Sequence, residues 1–124
     1  MNSIIRLVSG LLGRILFVVP LVMFGISHLT RAESMAGMVP IPGGIIWVYL
    51  TGLFLLAGTI GILTDFNGNG TLAAFLTGVM ILGFAVLIHL PGMMREGGMM
   101  SMISFLKDVG LAGGAFVIAG TYRK

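Results

Sequence analysis

Apolar residues fill four long stretches of the chain, and most charged residues lie in the segments between them. The apolar stretches cover residues 15–29, 44–63, 72–90 and 103–121. An α-helix rises about 1.5 Å per residue, so about 20 apolar residues are needed to cross a hydrocarbon core about 30 Å thick. The pattern therefore predicts four membrane-spanning helices, over about residues 12–29, 44–63, 71–90 and 103–121.

The fold class follows from the number and length of these stretches. Backbone amides inside lipid must be hydrogen bonded within the protein, and the runs lack the alternating pattern of barrel strands. We predict one all-α domain over residues 1–124, a four-helix transmembrane bundle with up-down topology that contacts the lipid bilayer. A mean hydropathy of +1.11 is consistent with this. Such a bundle can act alone or as an oligomer.

Composition excludes several other classes of protein. The net charge is only +3 and the basic residues are scattered, which argues against nucleic acid as a partner and favours anchoring at the membrane surface. The chain has no cysteine, so it has no disulfide, thiol redox site or zinc-thiolate site. P-loop, Rossmann and zinc-protease motifs are also absent from the sequence, and we do not expect a self-contained enzyme.

An even number of crossings places both termini on one side of the membrane. The positive-inside rule slightly favours cytoplasmic termini. That orientation puts four basic residues inside, against three outside: Arg6, Arg14, Arg123 and Lys124 against Arg31, Arg95 and Lys107. Residues 65–70 then form a tight cytoplasmic turn rich in Asn and Gly, and the segments 30–43 and 91–102 are extracytoplasmic.

Three ionisable residues are predicted to lie at one depth near the extracytoplasmic face. His28 ends the first helix, His89 ends the third, and Lys107 opens the fourth. An ionisable residue within the membrane is a candidate for function because burying its charge is costly. Two interpretations remain open: a shared polar pocket, which Tyr49 would also line, or independent side chains that reach the interface.

Arg14 lies fourteen residues before His28, about 21 Å along a helix, and therefore near the opposite membrane surface. Its side chain either extends to the cytoplasmic headgroups or closes the inner end of a cavity in the bundle. The predicted spans offer it no carboxylate partner, so we do not expect a buried ion pair.

A methionine-rich segment follows the third helix and suggests a second chemistry. Thioether sulfur atoms and an imidazole suit Cu(I), which makes copper binding an alternative hypothesis. Methionine also serves as flexible apolar filler at an interface. The copper candidates are His89, Met93, Met94, Met99 and Met100.

Several short motifs, in order along the chain, resemble the DoxX-like family of small membrane proteins. They are Gly13-Arg14, residues 24–29 (FGISHL), residues 39–42 (VPIP), residues 49–52 (YLTG), residues 57–61 (AGTIG) and residues 107–114 (KDVGLAGG). The resemblance covers nearly the whole chain and implies a four-helix bundle in a bacterial cytoplasmic membrane. Relatives often carry a glutamate shortly after the Thr-Gly pair, whereas this chain has Leu53-Phe54-Leu55-Leu56.

The resemblance implies a membrane subunit of an oxidoreductase system, with quinone as the ligand and an oxidoreductase subunit as partner. On this hypothesis His28, His89, Lys107, Tyr49 and Arg14 are the candidate residues for a ligand pocket. A histidine would donate to a quinone oxygen, and Lys107 would stabilise a reduced, anionic headgroup. A structural scaffold without a ligand is the alternative from another class of protein.

Overall fold

The computed structural model describes residues 2–122, apart from the side chain of Glu96, and this part contains four helices able to span a membrane. They are α1 (Ser3–Thr30), α3 (Gly44–Thr64), α4 (Gly70–Arg95) and α5 (Met99–Ala119). A short helix, α2 (Ala32–Ala36), lies between α1 and α3. The predicted all-α four-helix bundle is confirmed. Arg123 and Lys124, which the orientation argument uses, lie outside the described residues.

Three helix ends lie outside their predicted bounds, while α3 matches its prediction closely. The α1 helix begins at Ser3 rather than near residue 12, and the Asn2 side chain accepts a hydrogen bond from the Ile4 amide. The α5 helix begins at Met99 rather than at residue 103, directly after Gly97 and Gly98, which both have positive φ. Methionine is a good helix former, so the Met-rich segment extends the helices instead of forming a loop.

The α4 helix continues past residue 90 to Arg95, although Pro91 should interrupt it. A π-helical turn occupies Ala85–His89, immediately before the proline. Such a turn changes the hydrogen-bonding register of the backbone, which helps a membrane helix to accommodate proline. His89 is the last residue of this turn, so local backbone geometry helps to set the direction of its side chain.

Close packing joins the helices in a fixed order. The α1 helix packs along α3, α3 packs against α4, and α4 packs along α5, whereas α1 and α5 touch over only a short length. Small residues allow α3 and α4 to approach closely, since a Cβ on Gly58 would overlap the Thr77 hydroxyl and one on Gly61 would overlap Ala73. The buried core consists of Val18, Leu21, Leu55, Ile62, Ala74, Ile81 and Ala112.

Hydrogen bonds close the bundle at the end where the described chain begins and finishes. The Tyr122 hydroxyl donates to the Ile62 carbonyl at 2.6 Å, and Arg14 Nη2 donates to Thr121 Oγ1 at 2.7 Å. The Arg14 guanidinium also lies 4.4 Å from the centre of the Tyr122 ring. In the predicted turn, Asp65 Oδ1 accepts a hydrogen bond from the Gly70 amide at 2.6 Å. These contacts tie α1, α3 and the chain after α5 together.

We predict that Gly58→Leu destabilises the bundle and that Gly113→Leu does not. A side chain at Gly58 meets Thr77, whereas a Cβ at Gly113 has no described atom within 4 Å to meet, beyond its chain neighbours and its own helix backbone. The expected loss at Gly58 is about 1–3 kcal/mol, as for overpacked cores. Thermal unfolding in detergent, followed by Trp47 fluorescence, measures the difference. Equal changes in the two variants would contradict the proposed close approach of α3 and α4.

We also predict that Tyr122 ionises above the ordinary range for tyrosine. Burial raises the pKa of Tyr122 above 10.0, Arg14 opposes this shift, and Asp65 adds to it. Because the folded-state pKa is raised, Tyr122 contributes to the free energy of unfolding in its neutral form. This contribution is fully present below pH 10.0 and is lost as pH rises through the folded-state pKa.

The titration can be measured in the Tyr49→Phe variant, in which Tyr122 is the remaining tyrosine. We expect the phenolate absorbance of the folded protein to rise at higher pH than that of the unfolded protein. Tyr122→Phe should abolish the corresponding loss of stability at alkaline pH. Identical folded and unfolded titration curves would show that Tyr122 does not hold this position in solution.

Candidate functional site: a pocket at the loop end of the bundle

A pocket of about 380 Å³ opens among the four long helices at the end away from Tyr122. The second halves of α1 and α4 contribute Phe24, His28, Phe84 and His89 to its lining. Side chains of α3 and α5 complete the walls, and residues 38–41 lie over them. All four spanning helices and one interhelical segment therefore meet at this pocket.

The segment after α2 is held against the pocket by Trp47. The indole Nε1 of Trp47 donates to the Pro42 carbonyl at 3.0 Å. Gly43 has a φ of 81°, a left-handed conformation that favours glycine, and α3 begins directly after it. Trp47 thus lines the pocket and fixes the chain across it, in addition to lying at the depth expected of an interfacial anchor.

Asp108 is the most deeply buried charged residue of the site. It lies within α5 and is only 3% exposed. Its Oδ2 accepts a short hydrogen bond from Nδ1 of His89 on α4, and its Oδ1 lies 3.5 Å from Lys107 Nζ. A buried carboxylate requires such partners because an unpaired charge in an apolar environment is very unfavourable.

His28 and Lys107 are the other two ionisable residues that line the pocket. Nδ1 of His28 donates to the Phe24 carbonyl at 2.6 Å, and the imidazole stacks on Phe84 with the ring centres 6.1 Å apart. The Lys107 ammonium lies 4.4 Å from the centre of the Phe24 ring. The cation is therefore stabilised by the Asp108 carboxylate and by the aromatic face.

Each histidine uses Nδ1 in a hydrogen bond to an acceptor. Because a carbonyl or a carboxylate can only accept, Nδ1 carries the proton in both rings, and Nε2 is left to accept or donate a second bond. A carboxylate that accepts from Nδ1–H also orients the imidazole. Asp108 therefore fixes the ring of His89 beside the pocket.

The structure brings together three of the five predicted pocket residues. His28, His89 and Lys107 all line the pocket. Lys107 does not open its helix, however, because α5 starts at Met99, about 12 Å away along the helix axis. Tyr49 lies on α3 with 41% of its surface exposed, and Arg14 belongs to the closed end with Thr121 and Tyr122. Arg14 therefore lies at the end of the bundle away from the pocket.

The copper candidates are arranged differently from the pocket residues. Met94, Met99 and Met100 are 68–77% exposed at the ends of α4 and α5, and Met93 is partly buried. Nδ1 of His89 is engaged by Asp108. Within residues 2–122, apart from the Glu96 side chain, no group of three or more His, Asp or Glu side chains could hold a metal ion. Copper binding through methionine sulfur stays a prediction from the sequence.

Asp108 is a residue of the site that the predictions from the sequence do not include. With Lys107 predicted at the start of a helix, Asp108 would lie at the membrane interface, where a carboxylate needs no partner. A stricter rule, that any ionisable residue inside an apolar stretch needs a partner, would have selected it. The identity of that partner, His89, depends on how α4 packs along α5 and could not be predicted from spacing.

No protein-family model, curated protein or solved structure matches this chain. The site is therefore interpreted from its own geometry.

We predict that His89 and Asp108 are strongly coupled in a double-mutant cycle. His89→Leu leaves the buried carboxylate with Lys107 alone, and breaking such a buried pair typically costs about 3 kcal/mol. The double variant His89→Leu/Asp108→Leu should be more stable than the sum of the single changes implies, because it leaves neither group unpaired. Thermal unfolding of the four proteins in detergent gives the coupling, and additive effects would contradict the pairing.

Proposed function

We propose that this chain is a DoxX-like membrane subunit of an oxidoreductase system and that its pocket binds the headgroup of a quinone. The observation that carries the proposal is an apolar pocket, within a membrane bundle, into which His28, His89 and Lys107 converge around the buried Asp108. The order of the DoxX-like sequence motifs along the chain also supports it.

The pocket has the properties expected of a site for a small amphipathic ligand. Its volume of about 380 Å³ lies within the range of about 300–1,000 Å³ typical of ligand sites. Most of its walls are apolar, and the polar groups are concentrated in one cluster. A quinone headgroup has the same character, since it is a flat apolar ring with two oxygen atoms that accept hydrogen bonds.

The residues of the site have distinct roles in this proposal. Nε2 of His28 or His89 donates to a quinone oxygen when the imidazole carries a proton on both nitrogens, and Asp108 orients His89 by accepting a hydrogen bond from its Nδ1. Reduction to the quinol consumes two electrons and two protons. The electrons come from a redox-active partner subunit, while the histidines pass protons and Lys107 stabilises negative charge on the reduced headgroup.

The proposed orientation places the pocket at the extracytoplasmic face of a bacterial cytoplasmic membrane. Both termini are then cytoplasmic. The positive-inside rule supports this arrangement, since Arg6 and Arg14 lie towards the terminal end of the bundle and the sequence continues to Arg123 and Lys124. A quinone in this pocket would exchange protons with the extracytoplasmic side.

We predict that a quinone quenches the fluorescence of Trp47 and that replacing both histidines weakens this binding. Trp47 is the single tryptophan of the chain and lines the pocket, so quenching reports occupancy without any assay of activity. The test titrates a benzoquinone or naphthoquinone analogue into protein in lipid nanodiscs. His28→Ala/His89→Ala should weaken binding by about tenfold or more, as expected for the loss of hydrogen bonds totalling about 1.4 kcal/mol.

Arg95→Ala is the matched control, because Arg95 is an exposed cationic residue at the same end of the bundle and outside the pocket. It should bind like the unmodified protein. Unchanged quinone binding in the double-histidine variant would disprove the proposed headgroup site. Mass spectrometry of protein purified in mild detergent gives an independent result: a stoichiometric protein partner without quinone would identify a scaffold, and retained copper would favour the methionine cluster.

A further inference from the structure

A second cavity follows the outer side of the contact between α3 and α4. It has a volume of about 790 Å³, and we call it the α3–α4 groove. On each helix the lining residues recur at intervals of three and four, so they form one face of α3 and the facing side of α4. Its principal lining residues are Trp47, Leu50, Phe54, Ala57, Gly58 and Gly61 on α3, and Leu72, Ala73, Leu76, Val79 and Met80 on α4.

Small and large side chains together give the groove its shape. Gly58 and Gly61 let the two helices approach closely and so form its floor. Phe54, Leu72 and Leu76 are each more than half exposed and stand beside this floor as walls. The result is a narrow apolar channel, open to lipid, that extends roughly 20 Å along the helices from Trp47 to Gly61.

The groove adjoins the pocket that holds the ionisable residues. Trp47, Thr51 and Met80 line both cavities. Where the two cavities meet, the hydroxyl of Thr51 is already hydrogen bonded, since it donates to the Trp47 carbonyl of its own helix at 2.9 Å. A hydrocarbon chain that passes this point would therefore leave no polar group unpaired.

We infer that the α3–α4 groove binds the hydrocarbon tail of the ligand whose headgroup lies in the pocket, so that the ligand is a long-chain, lipid-soluble quinone. This inference rests on the proposed function. A pocket of about 380 Å³ can enclose a quinone ring but not a long tail, which must leave between two helices. The α3–α4 groove supplies an apolar path for the tail, and residues 38–41 lie over the pocket itself.

Such a groove can prefer the tail of a bound ligand to the surrounding lipid tails only through packing. Lipid tails are as apolar as the groove walls, so a bound tail gains little from the hydrophobic effect inside a bilayer. It gains instead from van der Waals contact with the close-packed floor and from its attachment to a bound headgroup. Narrowing the groove should therefore weaken binding of a tailed quinone and leave a tailless analogue unaffected.

The test compares Val79→Phe with Val19→Phe in lipid nanodiscs. Val79 lines the groove and is 47% exposed, whereas Val19 is 52% exposed on α1 and lines neither cavity. Both substitutions add the same bulk to a lipid-facing position. Binding of a tailless quinone and of one with an isoprenoid tail is measured by quenching of Trp47, with ligand expressed as a mole fraction of lipid.

We expect Val79→Phe to weaken binding of the tailed quinone about tenfold, equivalent to about 1.4 kcal/mol, and to leave the tailless analogue unchanged. Val19→Phe should alter neither. If the tailless analogue binds and Val79→Phe leaves the tailed quinone unaffected, the groove inference is wrong while the headgroup site stands. If neither quinone binds the unmodified protein, the proposed function fails and the inference fails with it.

Discussion

The hydrocarbon of the bilayer offers no hydrogen-bond partners, and this constraint accounts for most of the structure. It requires the backbone to form helices over each apolar stretch and requires every buried charge to find a partner within the protein. Asp108 is the extreme case, since it is 3% exposed inside a spanning helix. Its hydrogen bond to His89 joins α4 to α5, and its ion pair with Lys107 adds a cation from its own helix beside the same pocket.

The two ends of the bundle meet this constraint in different ways. At the terminal end, Tyr122 and Arg14 use their polar atoms on groups of the protein itself, and the core beneath them is closed. At the loop end, the π-helical turn of α4 and the segment held by Trp47 surround a pocket in which Nε2 of two histidines has no role in the internal bonds of the site. The terminal end is thus closed by internal bonds, whereas the loop end leaves a pocket among the four helices.

Much of the fold could be predicted from the sequence because the lipid environment makes the hydropathy signal strong. The bounds of α3 and the convergence of His28 with His89 follow from run length and helical phase. The early start of α5 differs from the prediction because the charged residues and the glycine pair at 95–98 indicate a loop, although the methionines at 99 and 100 favour a helix once that pair has ended α4. With α5 starting too late, Lys107 was placed at a helix end and Asp108 was overlooked.

Four membrane spans follow from the hydropathy pattern alone, since apolar stretches of this length have no other stable environment. The same pattern identifies the few ionisable residues that must be accommodated there. Tertiary packing, in contrast, pairs Asp108 with His89, brings Arg14 to Tyr122, and places Trp47 in the walls of both the pocket and the groove. These pairings depend on the rotation and packing of whole helices, which small differences in side-chain volume control and which periodicity along one helix does not contain.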